Sequence, residues 1–255
     1  MGTIAISGCA TGIGAATRRR LEADGHRIVG VDLRDVEVPA DLSHPDGRAA
    51  AISGVLEACG GRLDGVVLCA GLGGHIGDGP RVASVNYFGV VELLDGLLPA
   101  LRKGTQPSAI AICSNSAQLA TSIGESSLVA AFLAGDEAEA RRLARDEFGG
   151  QAVYMMSKNA VGRAVRRRAS AWGEAGVRLN AVAPGPIMTP LLQSALETPD
   201  GDAIRAFKVP VGRVGDADEI AGVIRFLLGP ETAFVHGSIW YVDGGADALI
   251  RPDRF

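Results

Sequence analysis

The chain has 255 residues, 47% of them hydrophobic and 21% charged, which is enough apolar side chain for the large core of one α/β domain. A net charge of −4 excludes a strongly basic surface, so no nucleic-acid partner is expected. Cys9, Cys59, Cys69 and Cys113 form no Cys-x-x-Cys pair and the histidines are scattered, so no metal site is expected and the thiols read as those of a reduced compartment.

Thr3–Ser7 reads as a short buried strand. It begins almost at Met1, so no signal peptide is expected and the expected location is cytoplasmic. A Gly-rich turn follows, then a helix to about Gly25, a strand over Arg27–Asp32 and a helix over Gly47–Cys59. Leu63–Cys69 reads as the third strand, Val82–Leu101 as one long helix and Ala109–Cys113 as the fourth strand. Ala152–Glu174 reads as a helix, Arg178–Ala183 as a strand, Asp216–Leu228 as a helix and Ser238–Asp243 as a last strand. The triplet Arg166, Arg167 and Arg168 reads as a solvated helix face. No apolar run reaches the roughly 18 residues of a membrane span, so no membrane partner is expected.

Short apolar strands alternating with amphipathic helices predict a single-domain α/β fold, a doubly wound parallel sheet with helices on both faces. Two connections are too long for that rhythm. Residues 118–150 carry a helix-like run, Leu128 to Phe148, and residues 190–214 form a second long connection. Such insertions are usually lids, binding loops or interface pieces. Leu191, Leu192, Leu196, Ile204 and Phe207 give the second one an apolar face, suited either to covering a hydrophobic substrate or to packing on the core.

The first strand runs into Ser7-Gly8-Cys9-Ala10-Thr11-Gly12-Ile13-Gly14. Glycines at 8, 12 and 14 let backbone approach a pyrophosphate, and the helix that opens there aims free N–H groups and its positive dipole end at it. The strand–turn–helix context makes this a dinucleotide site, with Thr11 and Ile13 in the turn. The second strand ends at Asp32, 18 residues after Gly14, where a carboxylate accepts from ribose hydroxyls and repels a 2′-phosphate; NAD is therefore expected, with Leu33 beside it. Arg34 stands either near that site, where it would favour a 2′-phosphate, or in a surface pair with Asp35 or Glu37. Asp41-Leu42 lies either against the adenine or at the cap of the next helix.

Tyr154 and Lys158 are four residues apart and share a helix face. An ammonium near a phenol favours phenolate and lowers the tyrosine pKa, which suits proton exchange with a carbonyl or alcohol oxygen. Ser114 follows the fourth strand at the carboxyl edge of the sheet, where doubly wound folds bind ligands; Ser116 competes for the same role. Asn86, in Val85-Asn86-Tyr87-Phe88-Gly89, is a buried polar group that needs partners and fits either a held water or a backbone clamp at a helix kink.

Together these residues resemble the short-chain dehydrogenase/reductase family over nearly the whole chain, which implies a Rossmann fold, NAD-dependent hydride transfer and a tetrad of Asn86, Ser114, Tyr154 and Lys158. The resemblance adds Pro184-Gly185-Pro186-Ile187-Met188-Thr189, implying contact with the nicotinamide carboxamide through the Ile187 backbone and the Thr189 hydroxyl, with Pro184 and Gly185 alongside. It also implies that Lys158 holds the nicotinamide ribose and that Asn86 holds a water in a proton relay. The family's Asn-Ala-Gly segment is Cys69-Ala70-Gly71 here; Ala70 and Gly71 keep their cofactor-facing places, while Cys69 is the poorer hydrogen-bonding residue. The glycine turn, Val85–Gly89, the ending Val242-Asp243-Gly244-Gly245 and the 40 positions between Ser114 and Tyr154 resemble the bacterial 3α-hydroxysteroid dehydrogenase/carbonyl reductase group. That implies a secondary alcohol/ketone couple on hydroxysteroids or other bulky hydrophobic carbonyls, and a homodimer in which the insertion blocks the family's usual four-helix contact. Coniferyl-type aromatic alcohol dehydrogenases are similar and leave substrate class open, and a non-catalytic dinucleotide sensor is the reading from a different functional class.

Overall fold

The computed structural model describes residues 1–123, 126–199 and 201–253; Gly124, Glu125 and Asp200, within the two long connections, and residues 254–255 lie outside the described residues. In chain order the elements are β1 (Thr3–Ser7), α1 (Gly12–Ala23), β2 (Arg27–Asp32), β3 (Val38–Pro39), α2 (Pro45–Ala58) and β4 (Gly65–Leu68). Next come α3 (Gly79–Ala83), α4 (Gly89–Leu101), β5 (Ser108–Ile112), α5 (Ser127–Ala134), α6 (Glu137–Asp146) and α7 (Gly150–Glu174). The chain continues through β6 (Arg178–Pro184), β7 (Ile187–Met188), α8 (Pro190–Leu196), α9 (Gly201–Ala206), β8 (Gly215–Asp216), α10 (Ala217–Leu228), β9 (Ile239–Val242) and α11 (Ala246–Ile250).

Seven strands form one parallel sheet in the order β3-β2-β1-β4-β5-β6-β9. This is the doubly wound single-domain fold that the pattern predicts. Strands β4 and β5 are buried along their whole length, as expected where helices cover both faces. At the middle of the sheet the two faces differ in side-chain size, although Val29, Val31, Val66, Leu68 and Leu179 share the alanine face. Ala109, Ala111, Ala181 and Ala183 face one side, where the helices supply the bulk with Leu93, Leu94, Leu97, Met156 and Trp172. Ile4, Ile6, Ile110 and Ile112 face the other, against Leu21 of α1 and Ile220 and Ile224 of α10.

Several elements depart from expectation. The long helix starts at Gly79 rather than Val82, and a π-helical turn, Ser84–Phe88, interrupts it before α4. The stretch from Gly79 to Leu101 is long and apolar enough to cross a membrane, yet 72% of its apolar window is buried inside the protein; it is a core helix. The run from Leu128 to Phe148 is two helices, not one, because Gly135 adopts a left-handed φ of 76° and Asp136 caps the second by accepting from Glu139 N. Phe132 of α5 rests on the rings of Tyr87 and Phe88, 4.9 and 6.0 Å between centroids, so the insertion packs against the π turn. The strand pair β7–β8, which ties the start and end of the 187–216 connection, and β3 are too short for an alternation signal.

Candidate active site

Strand order reverses between β1 and β4, and at that switch point the carboxyl ends of the strands open two adjoining cavities, where such sheets bind ligands. The narrower one, about 230 Å³, is lined by Gly8, Thr11, Gly12, Ile13 and Gly14, by Asp32, Leu33, Asp41 and Leu42, and by Ala70 and Gly71. The wider one, about 560 Å³, contains Ser114, Tyr154 and Lys158, and shares Ile13, Gly71 and Thr189 with its neighbour. Pro184, Gly185 and Ile187 line it too.

The glycine turn is built to closeness. Gly8 has φ +68°, and a Cβ there would lie 2.5 Å from Ala70 N; a Cβ on Gly14 would lie 2.0 Å from the Gly8 carbonyl oxygen. The turn is therefore backbone packed on backbone, with the α1 N-terminus directly behind it. Asp32 closes the second strand with Oδ2 accepting from Ala10 N at 3.0 Å and Oδ1 from Leu33 N at 2.8 Å. Two bonds leave a carboxylate with acceptor capacity for vicinal hydroxyls. Arg34 does not pair with Glu37: that carboxylate holds Arg18 at 2.6 and 3.0 Å and accepts from Gly30 N. Asp41 does not cap α2, whose N-cap is His44; it accepts from Ser43 N at 2.9 Å and closes a turn beside the cavity. A groove with bare backbone at its floor, a helix N-terminus behind it and Asp32 at one end fits a dinucleotide.

Asn86 takes one of the readings open to it, the backbone clamp at a helix kink. It lies in the π turn, fully buried. Its Oδ1 accepts from Leu72 N at 2.8 Å and its Nδ2 donates to the Leu72 carbonyl at 2.9 Å. The π turn is thereby clamped to the segment after β4. A Cβ on Gly71 would sit 3.4 Å from Lys158 Nζ and 3.5 Å from Asn86 Oδ1, so Gly71 marks the point where those two groups converge. Cys69 is half-buried, and desolvation pushes its thiol up to about 12, with Lys158 pulling the other way; the link to β1 is made by backbone, with Cys69 N donating to the Ser7 carbonyl at 3.0 Å and Ala70 N to Ser7 Oγ at 3.3 Å.

Tyr154 and Lys158 point from α7 into the wider cavity. Lys158 is 4% exposed and donates through Nζ to the Ile112 carbonyl at 2.9 Å. Burial lowers its pKa. Burial also raises the Tyr154 phenol, and the group pulling it back down is the Ser114 hydroxyl. The expected depression by Lys158 is thus corrected: in the protein's own field desolvation outweighs every lowering influence, and the ammonium is committed to a carbonyl. Ser114 Oγ and Ser116 Oγ lie 2.9 Å apart. Ser114 is the one that acts on Tyr154, with Ser116 behind it.

Thr189 ends the 184–189 stretch. Its Oγ1 donates to the Ile187 carbonyl at 3.2 Å and caps α8 by accepting from Leu192 N at 3.4 Å. A Cβ on Gly12 would touch the Thr189 methyl at 3.3 Å, so this stretch packs directly on the glycine turn. Beyond it, Leu191, Leu192, Ile204 and Phe207 line the wider cavity. Leu196 does not; Ala195 takes its place there, and the Leu196 carbonyl accepts from Arg205 at 2.8 Å. His75, which sequence reasoning passed over, stands on the same wall and bonds Ser194 Oγ through Nε2 at 2.8 Å. Ile250 of α11 completes the wall. No sequence pattern marked His75 or Ile250, since each reaches the cavity only through tertiary packing.

An apolar cavity that brings Ser114, Tyr154 and Lys158 together, beside a dinucleotide groove, defines a class of oxidoreductase. The chain belongs to the short-chain dehydrogenase/reductase family: residues 2–127 match the short chain dehydrogenase model and residues 142–247 the related enoyl-(acyl carrier protein) reductase model. It is 53% identical, over the full length of both chains, to a 3α-hydroxysteroid dehydrogenase/carbonyl reductase of Comamonas testosteroni. It superposes on the crystal structure of a 3α-hydroxysteroid dehydrogenase from Pseudomonas sp. B-0831 complexed with NADH, with a TM-score of 0.96, 46% identity and coverage of 99% of this chain and 100% of that one. A coniferyl-alcohol dehydrogenase of a Pseudomonas species is 32% identical over 95% of both chains.

Proposed function

We propose that this protein is an NAD-dependent 3α-hydroxysteroid dehydrogenase/carbonyl reductase, interconverting a secondary alcohol and a ketone on bulky hydrophobic substrates. The observation that carries this reading is the wider cavity: about 560 Å³, walled largely by aliphatic and aromatic side chains, with Ser114, Tyr154 and Lys158 together among its polar groups. That volume lies within the roughly 300–1,000 Å³ usual for small-molecule sites.

When bound, the nicotinamide supplies or accepts the hydride. Gly8, Gly12 and Gly14, with Thr11 and Ile13, would hold the pyrophosphate, and Asp32 the adenosine ribose. Leu33, Asp41 and Leu42 would hold the adenine, with Ala70 and Gly71 along the groove. Pro184, Gly185, Ile187 and Thr189 would hold the nicotinamide end. In the reductive direction the protonated Tyr154, kept so by burial, donates to the substrate oxygen as negative charge builds there, and Ser114 donates a hydrogen bond to the same oxygen. In the oxidative direction the phenolate removes the alcohol proton. Lys158 would hold the nicotinamide ribose, and a water held at Asn86 would carry the proton between Lys158 and solvent.

The chain acts on a small molecule, in the cytoplasm, as a homodimer. Phe132 of α5, within the insertion, packs on the rings of Tyr87 and Phe88, which supports the insertion's blocking the family's four-helix contact. Among the exposed apolar side chains of the described residues are Phe226 of α10, 45% exposed and edge-on to Trp240 of the edge strand β9, and Phe234. Sedimentation analysis is expected to give a dimer that Phe226→Glu dissociates.

The test of the substrate assignment is a panel of 3α-hydroxysteroids and aromatic alcohols, each with NAD and with NADP. NADH absorbance growing fastest with a 3α-hydroxysteroid is the expected outcome. Turnover of coniferyl alcohol without steroid turnover would replace the substrate, and no turnover with any alcohol despite NADH binding would leave a sensor.

A further inference from the structure

Helix α2 packs with Ala51 and Val55 against the sheet, yet it also buries a guanidinium completely: Arg48 has no exposed surface. A buried charge is costly unless paired and fully hydrogen-bonded. Arg48 is both, and its partners come from three separate segments. Its Nε donates to Glu92 of α4 at 2.8 Å. Its two terminal nitrogens donate to Glu137, the first residue of α6, at 3.2 and 2.5 Å. The first of these nitrogens also donates to the Leu42 carbonyl at 3.2 Å. The guanidinium lies 5.9 Å from the Phe88 ring centre.

Glu137 is shared in turn. Its Oε1 accepts from Ser84 Oγ at 2.6 Å, and Ser84 Oγ accepts from Arg141 at 2.6 Å. Ser84 opens the π turn that holds Asn86. One carboxylate from the insertion therefore braces two parts of the dinucleotide side: the π turn directly, and the 41–43 turn through Arg48. Leu42 is gripped from both sides, because its Cβ would lie 3.3 Å from a Cβ on Gly89 and its carbonyl is held by Arg48. The inner faces of Asp41 and Leu42 line the dinucleotide groove.

We propose that the Glu137–Arg48 pair is a positioning pair for the adenine-side turn, so that the insertion between Ser114 and Tyr154 contributes to dinucleotide affinity as well as covering a surface. The inference rests on reading the narrower groove as the NAD site. Neither residue touches the reacting atoms. The pair acts by fixing where Leu42 and Asp41 stand before the cofactor arrives, which spares the ordering of that turn on binding.

The test is NADH affinity by fluorescence titration, with kcat measured separately at saturating NAD. In Arg48→Lys the ammonium cannot span Glu92, Glu137 and the Leu42 carbonyl as the planar fork does, and the Kd for NADH is expected to rise about tenfold, with kcat within about twofold of wild type. Glu137→Gln, which keeps shape and loses charge, is expected to fall between. Arg142→Gln, on the outer face of α6, is expected to bind as wild type. Arg48→Met combined with Glu137→Leu removes the two buried charges together and leaves Glu92, whose side chain is 39% exposed, to solvent, so the fold is expected to survive, which thermal unfolding checks; it is expected to bind NADH as weakly as Arg48→Lys. Wild-type affinity in that double variant would overturn the proposal, leaving a pair that satisfies only itself. A fall in kcat with unchanged Kd would also overturn it. No NADH binding by the wild-type protein would overturn the dinucleotide reading and this inference together.

Discussion

The two adjoining cavities are made in different ways. The dinucleotide groove is mostly backbone: the turn after β1 lies so close to the Ala70 amide and to its own Gly8 carbonyl that side chains are excluded. The substrate cavity is mostly side chains, carried by α8, α9, α11 and the segment after β4, elements joined by long connections. A backbone site tolerates almost no substitution at its closest points, whereas a side-chain wall can be recut residue by residue while the chemistry beneath stays fixed. That contrast explains how one family scaffold serves many substrates.

The contrast can be broken or sharpened by substitution, and the largest effect belongs to the chemistry between the two regions. Tyr154→Phe keeps the ring and loses the proton; kcat is expected to fall by about 10³-fold or more, while the Kd for NADH stays within about threefold. Gly14→Ala attacks the backbone site. With its Cβ 2.0 Å from the Gly8 carbonyl oxygen, the turn must open, and NADH titration is expected to show about a hundredfold loss of affinity or more. Asp32→Ala removes the carboxylate that disfavours a 2′-phosphate, and the NAD-over-NADP ratio of kcat/KM is expected to fall by about tenfold or more. Phe207→Ala recuts the side-chain wall. It is expected to raise the steroid KM by about three- to tenfold, through roughly 1 kcal/mol of lost apolar contact, with NADH affinity unchanged. Equal damage to NADH binding from Phe207→Ala and Gly14→Ala would erase the distinction.

The pH dependence follows from Tyr154. Burial raises its pKa and the Ser114 hydroxyl lowers it. Alcohol oxidation needs the phenolate, so kcat/KM for oxidation is expected to climb as pH rises toward the phenol pKa. Ser114→Ala removes the lowering influence, so its oxidation profile is expected to move to more alkaline pH, on top of an overall rate loss. An acid shift would contradict the assignment of Ser114 as the partner of Tyr154.

The backbone site was the legible one. Its glycines, Asp32 and the strand–turn–helix rhythm sit within one stretch of chain, and local geometry ties each to a role. Asn86 was legible as a buried amide in search of partners, although its partner, the Leu72 backbone, could not be named because it lies across a turn. The side-chain wall was legible only as apolar content. Leu191, Leu192, Ile204 and Phe207 reach the cavity, but Leu196 faces away, since short helices α8 and α9 set directions that a loop reading does not supply. The break at Gly135 was missed because the alanine- and leucine-rich sequence on either side favours helix. The field at Tyr154 was misjudged for a further reason: the spacing of Lys158 shows that it shares a helix face, not that its ammonium is bonded to Ile112.

The central claim is hydride transfer between NAD and a 3α-hydroxysteroid with Tyr154 as the proton-exchanging group. Its most direct test is the rate of NADH formation, followed by absorbance, with androsterone and NAD in wild type and in Tyr154→Phe. Steady NADH production by wild type, lost in the variant while NADH still binds, is the predicted result. Wild type that binds NADH yet leaves androsterone untouched, or a Tyr154→Phe protein with full activity, would contradict it.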